Sequence, residues 1–113
     1  MTNNNKNNNM RIVFDSSISD YFQSSKCLER EYGKLAKYIM RAINRLTKAD
    51  ISNHWLLPGN PHELKHLCKG VYSVTLHHPH RMVYRVDRSS NSVVVLGIVD
   101  YHSHQRVYSR IIA

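Results

Sequence analysis

The sequence predicts an α+β fold in which helices cover one face of a small antiparallel sheet. Residues 16–48 contain no proline and a single glycine, Gly33, and carry apolar side chains at helical spacing. From Val71 onward the apolar period drops to about two, and short polar clusters divide the runs into three candidate strands. A chain of 113 residues buries enough surface for one core rather than two, so a single domain is expected.

Residues 1–9 hold six asparagines and one lysine, a polar tract with nothing to bury, and are read as a disordered extension. The domain is expected over residues 10–102, opening with Met10-Arg11-Ile12-Val13-Phe14, a β-branched and aromatic run that reads as a strand. Ser17-Ile18-Ser19-Asp20 has the spacing of a helix N-cap with an acidic first turn. Ser24-Ser25 is expected to divide the helical stretch into a short helix over 18–23 and a longer one over 27–48. On the longer helix Leu28, Tyr32, Leu35, Ile39, Ala42, Ile43 and Leu46 fall in one arc about 100° wide, the expected core face. Lys26, Arg30, Lys34, Lys37, Arg41, Arg45 and Lys48 fall on the opposite side, with only Glu29 and Glu31 at the flanks. A face built for solubility alone usually mixes signs at i,i+4, so this ridge also suits phosphate.

Residues 50–60 read as a connector ending in the turn Pro58-Gly59-Asn60, with Trp55, Leu56 and Leu57 expected to tuck back onto the core. Val71-Tyr72-Ser73-Val74-Thr75-Leu76 and Arg81-Met82-Val83-Tyr84-Arg85-Val86 alternate, and residues 92–101 form the near-continuous run of a buried strand. His77-His78-Pro79-His80 and Arg88-Ser89-Ser90-Asn91 supply turns, giving an antiparallel meander. Residues 103–113 form a C-terminal extension, in which Arg106-Val107-Tyr108-Ser109-Arg110-Ile111-Ile112 reads either as an added edge strand or as a loose basic tail.

Sixteen lysines and arginines against eight acidic residues leave a formal charge of +8. Such self-repulsion opposes compaction, whereas a polyanion converts it into affinity, so nucleic acid is the first partner to consider. The longest apolar run is too short to span a bilayer, no charged start precedes an apolar stretch, and Cys27 and Cys68 do not make a disulfide framework. A reducing cytoplasm is expected.

Seven of the eight histidines lie in the C-terminal half, at positions 62, 66, 77, 78, 80, 102 and 104, among Lys65, Lys69, Arg81 and Arg85. That mixture suits phosphodiester chemistry. Metal-free cleavage of RNA requires the ribose 2′-OH to lose a proton, cations to stabilise the phosphorane, and the leaving 5′-oxygen to gain a proton. Imidazole serves either proton transfer near neutrality. His62 and Lys65, three residues apart, share a side if they stand on one helical turn or in a tight loop. Asp100-Tyr101-His102 offers an acid, a phenol and an imidazole where the buried run stops.

Pro58-Gly59-Asn60 with His62-x-Leu64-Lys65, then Gly70-x-Tyr72-Ser73-Val74, His80-Arg81-Met82-Val83-Tyr84 and Ile98-Val99-Asp100-Tyr101-His102 stand in that order behind an amphipathic helix. Together they resemble the HigB branch of the RelE/ParE toxin superfamily, with some likeness to the YoeB branch in the His-Arg-Met-Val-Tyr strand. The resemblance implies an α+β, RelE/ParE-like fold: an N-terminal strand and two helices on a small antiparallel sheet. It also implies a bacterial cytoplasmic toxin, a ribosome-dependent mRNA interferase that uses no metal or other cofactor and is neutralised by a cognate antitoxin. Carried over by residue, His62 and Lys65 match the active-site loop, Arg81 the phosphate clamp, and Asp100, Tyr101 and His102 the terminal catalytic group. His102 or Asp100 is expected as base and His62 as proton donor, with Lys65 and Arg81 on the phosphorane and Tyr101 positioning substrate. Lys34, Lys37, Arg41, Arg45, Lys48, Lys69 and Arg85 are expected to contact mRNA or ribosomal RNA. Thr75 stands where relatives carry arginine, and Ser103, where the YoeB pattern has an aromatic, favours HigB. Two alternatives stand beside this reading. One is a non-catalytic, ParE-like, gyrase-directed toxin or basic nucleic-acid-binding module on the same fold. The other is a metal site at His77, His78, His80, His102, His104 and Cys68, whose spacing matches no closed zinc motif.

Overall fold

The computed structural model describes residues 10–100 and 103–112; the Asn-rich residues 1–9 lie outside them. Five strands form one sheet in the order β1-β5-β4-β3-β2. They are β1 (Arg11–Phe14), β2 (His62–Glu63), β3 (Val71–His77), β4 (His80–Asp87) and β5 (Ser92–Val99). Helices α1 (Ser25–Tyr32) and α2 (Ala36–Lys48) follow β1, and α3 (His104–Ile112) follows β5. The meander from β2 to β5 is antiparallel, but β1 pairs with β5 in parallel, so the sheet is mixed rather than wholly antiparallel. Hairpin turns force antiparallel neighbours, whereas the long helical connection after β1 allows it to align with β5.

The helical stretch is divided differently from the sequence expectation. Residues Ser19–Phe22 make only one 3₁₀ turn, and Ser24 caps α1, its hydroxyl accepting from the Cys27 amide at 3.1 Å. The expected long helix is then broken at Gly33, whose φ of +60° is open to glycine and strained for other residues. A 3₁₀ turn over Gly33–Leu35 leads into α2. The core face survives this break, with Leu28, Ile39, Ala42, Ile43 and Leu46 buried and Tyr32 and Leu35 packed against them. Each large aliphatic side chain buried here contributes about 1.5–3 kcal/mol.

α1 and α2 pack on one sheet face, against Val74, Met82, Tyr84, Val93 and Val95. The opposite face has its own smaller core, where Leu64, Val71, Val83, Leu96 and Val99 meet Val107 of α3. The extension is therefore neither an edge strand nor a loose tail. Gly97 admits it: a Cβ there would lie 3.2 Å from both Val107 methyls. Tyr84 pairs with Val95 and Val83 with Gly97, so Leu96 bulges between them, and its carbonyl accepts from Arg110 Nη2 at 3.2 Å.

The connector reaches the core through one of the three residues expected, Leu57, and through one that was not, His54. Leu56 is 75% exposed, the Trp55 side chain lies outside what is described, and Leu57 packs inward. Its buried anchor is His54, which shares a 2.9 Å hydrogen bond with the Tyr84 hydroxyl and meets the Tyr72 ring edge-on. Burial, and then the charge of Arg88, hold the His54 imidazole below its ordinary pKa. Farther on, Gly59 (φ +97°) lies so close to β3 that a Cβ would stand 2.7 Å from the Thr75 carbonyl oxygen, while its own carbonyl accepts from the Thr75 amide at 2.8 Å.

Two outcomes are expected. Gly59→Ala combines a disfavoured φ with a backbone collision and should destabilise the protein by at least about 2 kcal/mol in denaturant melts; near-wild-type stability would mean that the turn relaxes freely. Because the unfolded chain protonates its residue 54 before the folded chain does, stability is fullest above about pH 6.5 and falls as pH is lowered below it. Tm should therefore drop between about pH 7 and 5, and His54→Gln, which leaves Tyr84 a polar partner without a titrating ring, should flatten that slope.

Candidate functional site

The site is built where β5 ends. Side chains alternate across a strand, so Arg81, between Thr75 on β3 and Val99 on β5, lies on the α3 face of the sheet. Asp100 follows β5 directly. Together with His78 of the β3–β4 hairpin and His104 and Tyr108 of α3, these residues line a cleft of about 250 Å³. The sequence assignments Arg81 and Asp100 thus stand in one cleft. Tyr101 and His102, the next two residues, lie outside the described residues.

Asp100 also leads into α3, whose first residue, His104, donates its amide to the Asp100 carbonyl at 3.1 Å. Its Oδ1 accepts from the Ser103 amide at 3.0 Å and from the Ser103 hydroxyl at 3.1 Å, while the Asp100 amide donates to Ser103 Oγ at 2.9 Å. This reciprocal exchange across three residues satisfies amides that a helix start otherwise leaves unpaired. The other carboxylate oxygen lies 3.6 Å from His80 Nε2. His104 approaches the Asp100 carbonyl, its Nδ1 lying 3.2 Å from that oxygen. Reading the sequence assigned Asp100 to chemistry and left these structural duties unseen, although Asp-x-x-Ser is itself a capping spacing.

The other predicted site residues are more dispersed. His62 sits on β2 opposite Ser73, an exposed side chain on the same sheet face as Arg81, and not on a helical turn. Two strand spacings, about 10 Å, separate β2 from β4. Lys65 is exposed in the turn after β2, and neither residue lines the cleft. Lys34 and Lys37 line a larger groove of about 560 Å³ with Tyr38, His77 and His80, and Asp100 belongs to both hollows. Tyr38 is the aromatic centre of that groove, with its ring 4.8 Å from His77 and Lys37 Nζ 5.2 Å from its centroid. Arg41, Arg45 and Lys48 continue along exposed α2, in the layer on the other side of the sheet from Arg81. Lys69 and Arg85 line a third groove, about 590 Å³, four residues along β4 from Arg81. At strand rise that is about 13 Å away. Sequence reading counted His78 and His104 among the clustered histidines without assigning them to the catalytic site, and did not single out Tyr38 or Tyr108, because only packing decides which hollow a side chain faces.

Among the described residues no group of three His, Cys, Asp or Glu side chains is placed to hold a metal ion, and no helix is long and apolar enough to cross a membrane.

The architecture is that of RelE/ParE-like toxins. The chain shares 28% identity with a chain of the heterotetrameric YoeB–YefM toxin–antitoxin complex from Staphylococcus aureus, over 82% of this chain and 97% of that one, at a TM-score of 0.55. For the Staphylococcus aureus YoeB dimer the values are 27%, 83%, 98% and 0.56. A YoeB/ParE toxin from Agrobacterium tumefaciens aligns over 81% of this chain and 99% of that one, at 21% identity and a TM-score of 0.61, a likeness of fold. No protein-family model and no curated protein sequence matches the chain. These structural neighbours are YoeB/ParE-type toxins, whereas Ser103 favours the HigB branch. Ser103 has a local duty as the capping partner of Asp100, which weakens it as a marker of the branch.

Asn caps a helix nearly as well as Asp, and Ala does not. Asp100→Ala is expected to lose about 1 kcal/mol in thermal or denaturant melts while Asp100→Asn keeps most of the stability. Equal loss in both would assign the contribution to the His80 pairing instead.

Proposed function

We propose that this chain is the toxin of a type II toxin–antitoxin pair and stops translation by cutting mRNA on the ribosome without a metal. The observation that carries this reading is the cleft at the end of β5, where an exposed Arg81 stands with a fixed carboxylate and two imidazoles, His78 and His104, next in sequence to Tyr101-His102. Similarity to YoeB toxins over nearly their whole length supports it. In the proposed mechanism His102 accepts the 2′-OH proton. The 2′-oxygen attacks phosphorus, and Arg81 offsets charge building on the phosphorane. The bond to the 5′-oxygen breaks as a cleft imidazole, His78, returns a proton to it, while His62 and Lys65, two strands away, hold the RNA backbone farther along. Tyr101 orients the nucleotide. Asp100, engaged by Ser103 and His80, serves as a positioning residue for the segment that follows rather than as the base.

The distribution of charge supports the ribosome as the setting. Lys37, Arg41, Arg45 and Lys48 point outward from the helical layer, while Arg81 occupies the opposite sheet face and Lys69 and Arg85 the far end. A single RNA strand in the cleft meets few of these. A large polyanion surrounding the protein meets most of them, with salt-dependent affinity. A cognate antitoxin, as YefM accompanies YoeB in the complex named above, is the proposed protein partner, and a bacterial cytoplasm the proposed location.

Induced expression followed by mapping of mRNA 5′ ends tests the reading. The wild type should create new ends within translated reading frames, and Arg81→Ala and His102→Ala should each reduce them by about 10²-fold or more. Growth arrest with intact mRNA would instead favour the gyrase-directed alternative.

A further inference from the structure

We infer that α3 forms one wall of the RNA site, with Tyr108 and His104 gripping the nucleotide next to the phosphate held by Arg81; this rests on the ribonuclease reading above. The cleft has Val99 of the sheet as its floor and His78 and Arg81 on its hairpin side. His104 and Tyr108 stand on the helix side, four residues apart, so one helical turn stacks them on the same face. Their rings meet at 5.5 Å with an interplanar angle of 64°, and both are half-buried. A guanidinium on one wall and an aromatic ring on the other are the two elements that single-stranded RNA recognition combines, a charge for the backbone and a flat surface for the base.

The His104 ring has a defined orientation. A carbonyl oxygen only accepts, so Nδ1, 3.2 Å from the Asp100 carbonyl, carries the proton of that bond. Nε2 is then the acceptor in the neutral ring, suited to a ribose hydroxyl or base N–H, and a donor to phosphate when the ring is charged. The wall is also rigid. Val107 fills the space over Gly97, Arg110 binds the Leu96 carbonyl, and Asp100 and Ser103 cap the first turn. Rigidity of this kind holds recognition groups in place before substrate arrives.

The test measures mRNA cleavage on programmed ribosomes by the full-length protein at increasing toxin concentration, giving a half-saturating concentration and a maximal rate. Base stacking on an aromatic side chain corresponds to roughly 5- to 150-fold in affinity. Tyr108→Leu, which keeps the apolar bulk that packs α3, is expected to raise the half-saturating concentration about tenfold and change the maximal rate less than about twofold. Tyr108→Phe and Tyr108→Trp should restore it. His104→Ala should shift the same parameter about fivefold, as loss of one hydrogen bond predicts. Melting curves of each variant report whether α3 remains docked. If Tyr108→Leu and His104→Ala cut like the wild type while Arg81→Ala is inactive, α3 is only a buttress and this inference falls alone. A wild-type protein that leaves the mRNA whole would overturn the ribonuclease reading as well.

Discussion

Burial of β5 on both faces is the constraint on which the rest of the molecule depends. Val93 and Val95 point toward α1 and α2, and Leu96 and Val99 toward α3. A strand clothed on both sides has to be apolar throughout, which is why residues 92–99 read as a continuous run instead of an alternation. The same strand provides the parallel partner for β1 and the antiparallel partner for β4, so both helical layers are registered against it. Where its burial stops, at Asp100, the chain turns into α3, and the candidate cleft opens at that corner.

At this corner structure and chemistry share the same atoms. The Asp100 carboxylate holds the first turn of α3 through Ser103 and faces His80 across the cleft edge. A carboxylate with two hydrogen bonds on one oxygen and a histidine near the other is held in place, which suits fixing neighbouring residues better than moving protons. The site therefore depends on a helix that sequence patterning alone did not reveal, and the stability of α3 and the shape of the cleft are linked through one residue.

Charge is spread over two layers rather than gathered in one groove. Arg81 and His62 occupy the α3 face, the α2 ridge occupies the opposite layer, and Lys34 and Lys37 flank the groove that adjoins Asp100. Placing the basic groups on both sides of the sheet separates the Arg81 face from the α2 ridge, and salt screens what repulsion remains between exposed charges. It also separates two tasks that the sequence merges into one basic inventory, contact at the reacting phosphate and attachment to a large anionic body.

Periodicity alone determined the core face from Leu28 to Leu46, the strands β3, β4 and β5, and the order in which Arg81 and Asp100 are met, because each is a local property of side-chain spacing. The division of the helix at Gly33 escaped that reading, since an apolar arc tolerates an isolated glycine and only the backbone angle reveals a stop. The parallel pairing of β1 escaped it too, for register between distant segments leaves no local trace. Residues 104–112 were the hardest case. Val107, Ile111 and Ile112 are β-branched and favour a strand locally, and the space above Gly97 and the bulged carbonyl of Leu96 make a helix the better solution. Which imidazoles and aromatics gather around Arg81, and that His62 and Lys65 stand two strands away at the sheet edge, was decided by tertiary packing, because convergence in space depends on register and docking rather than on neighbours in the chain.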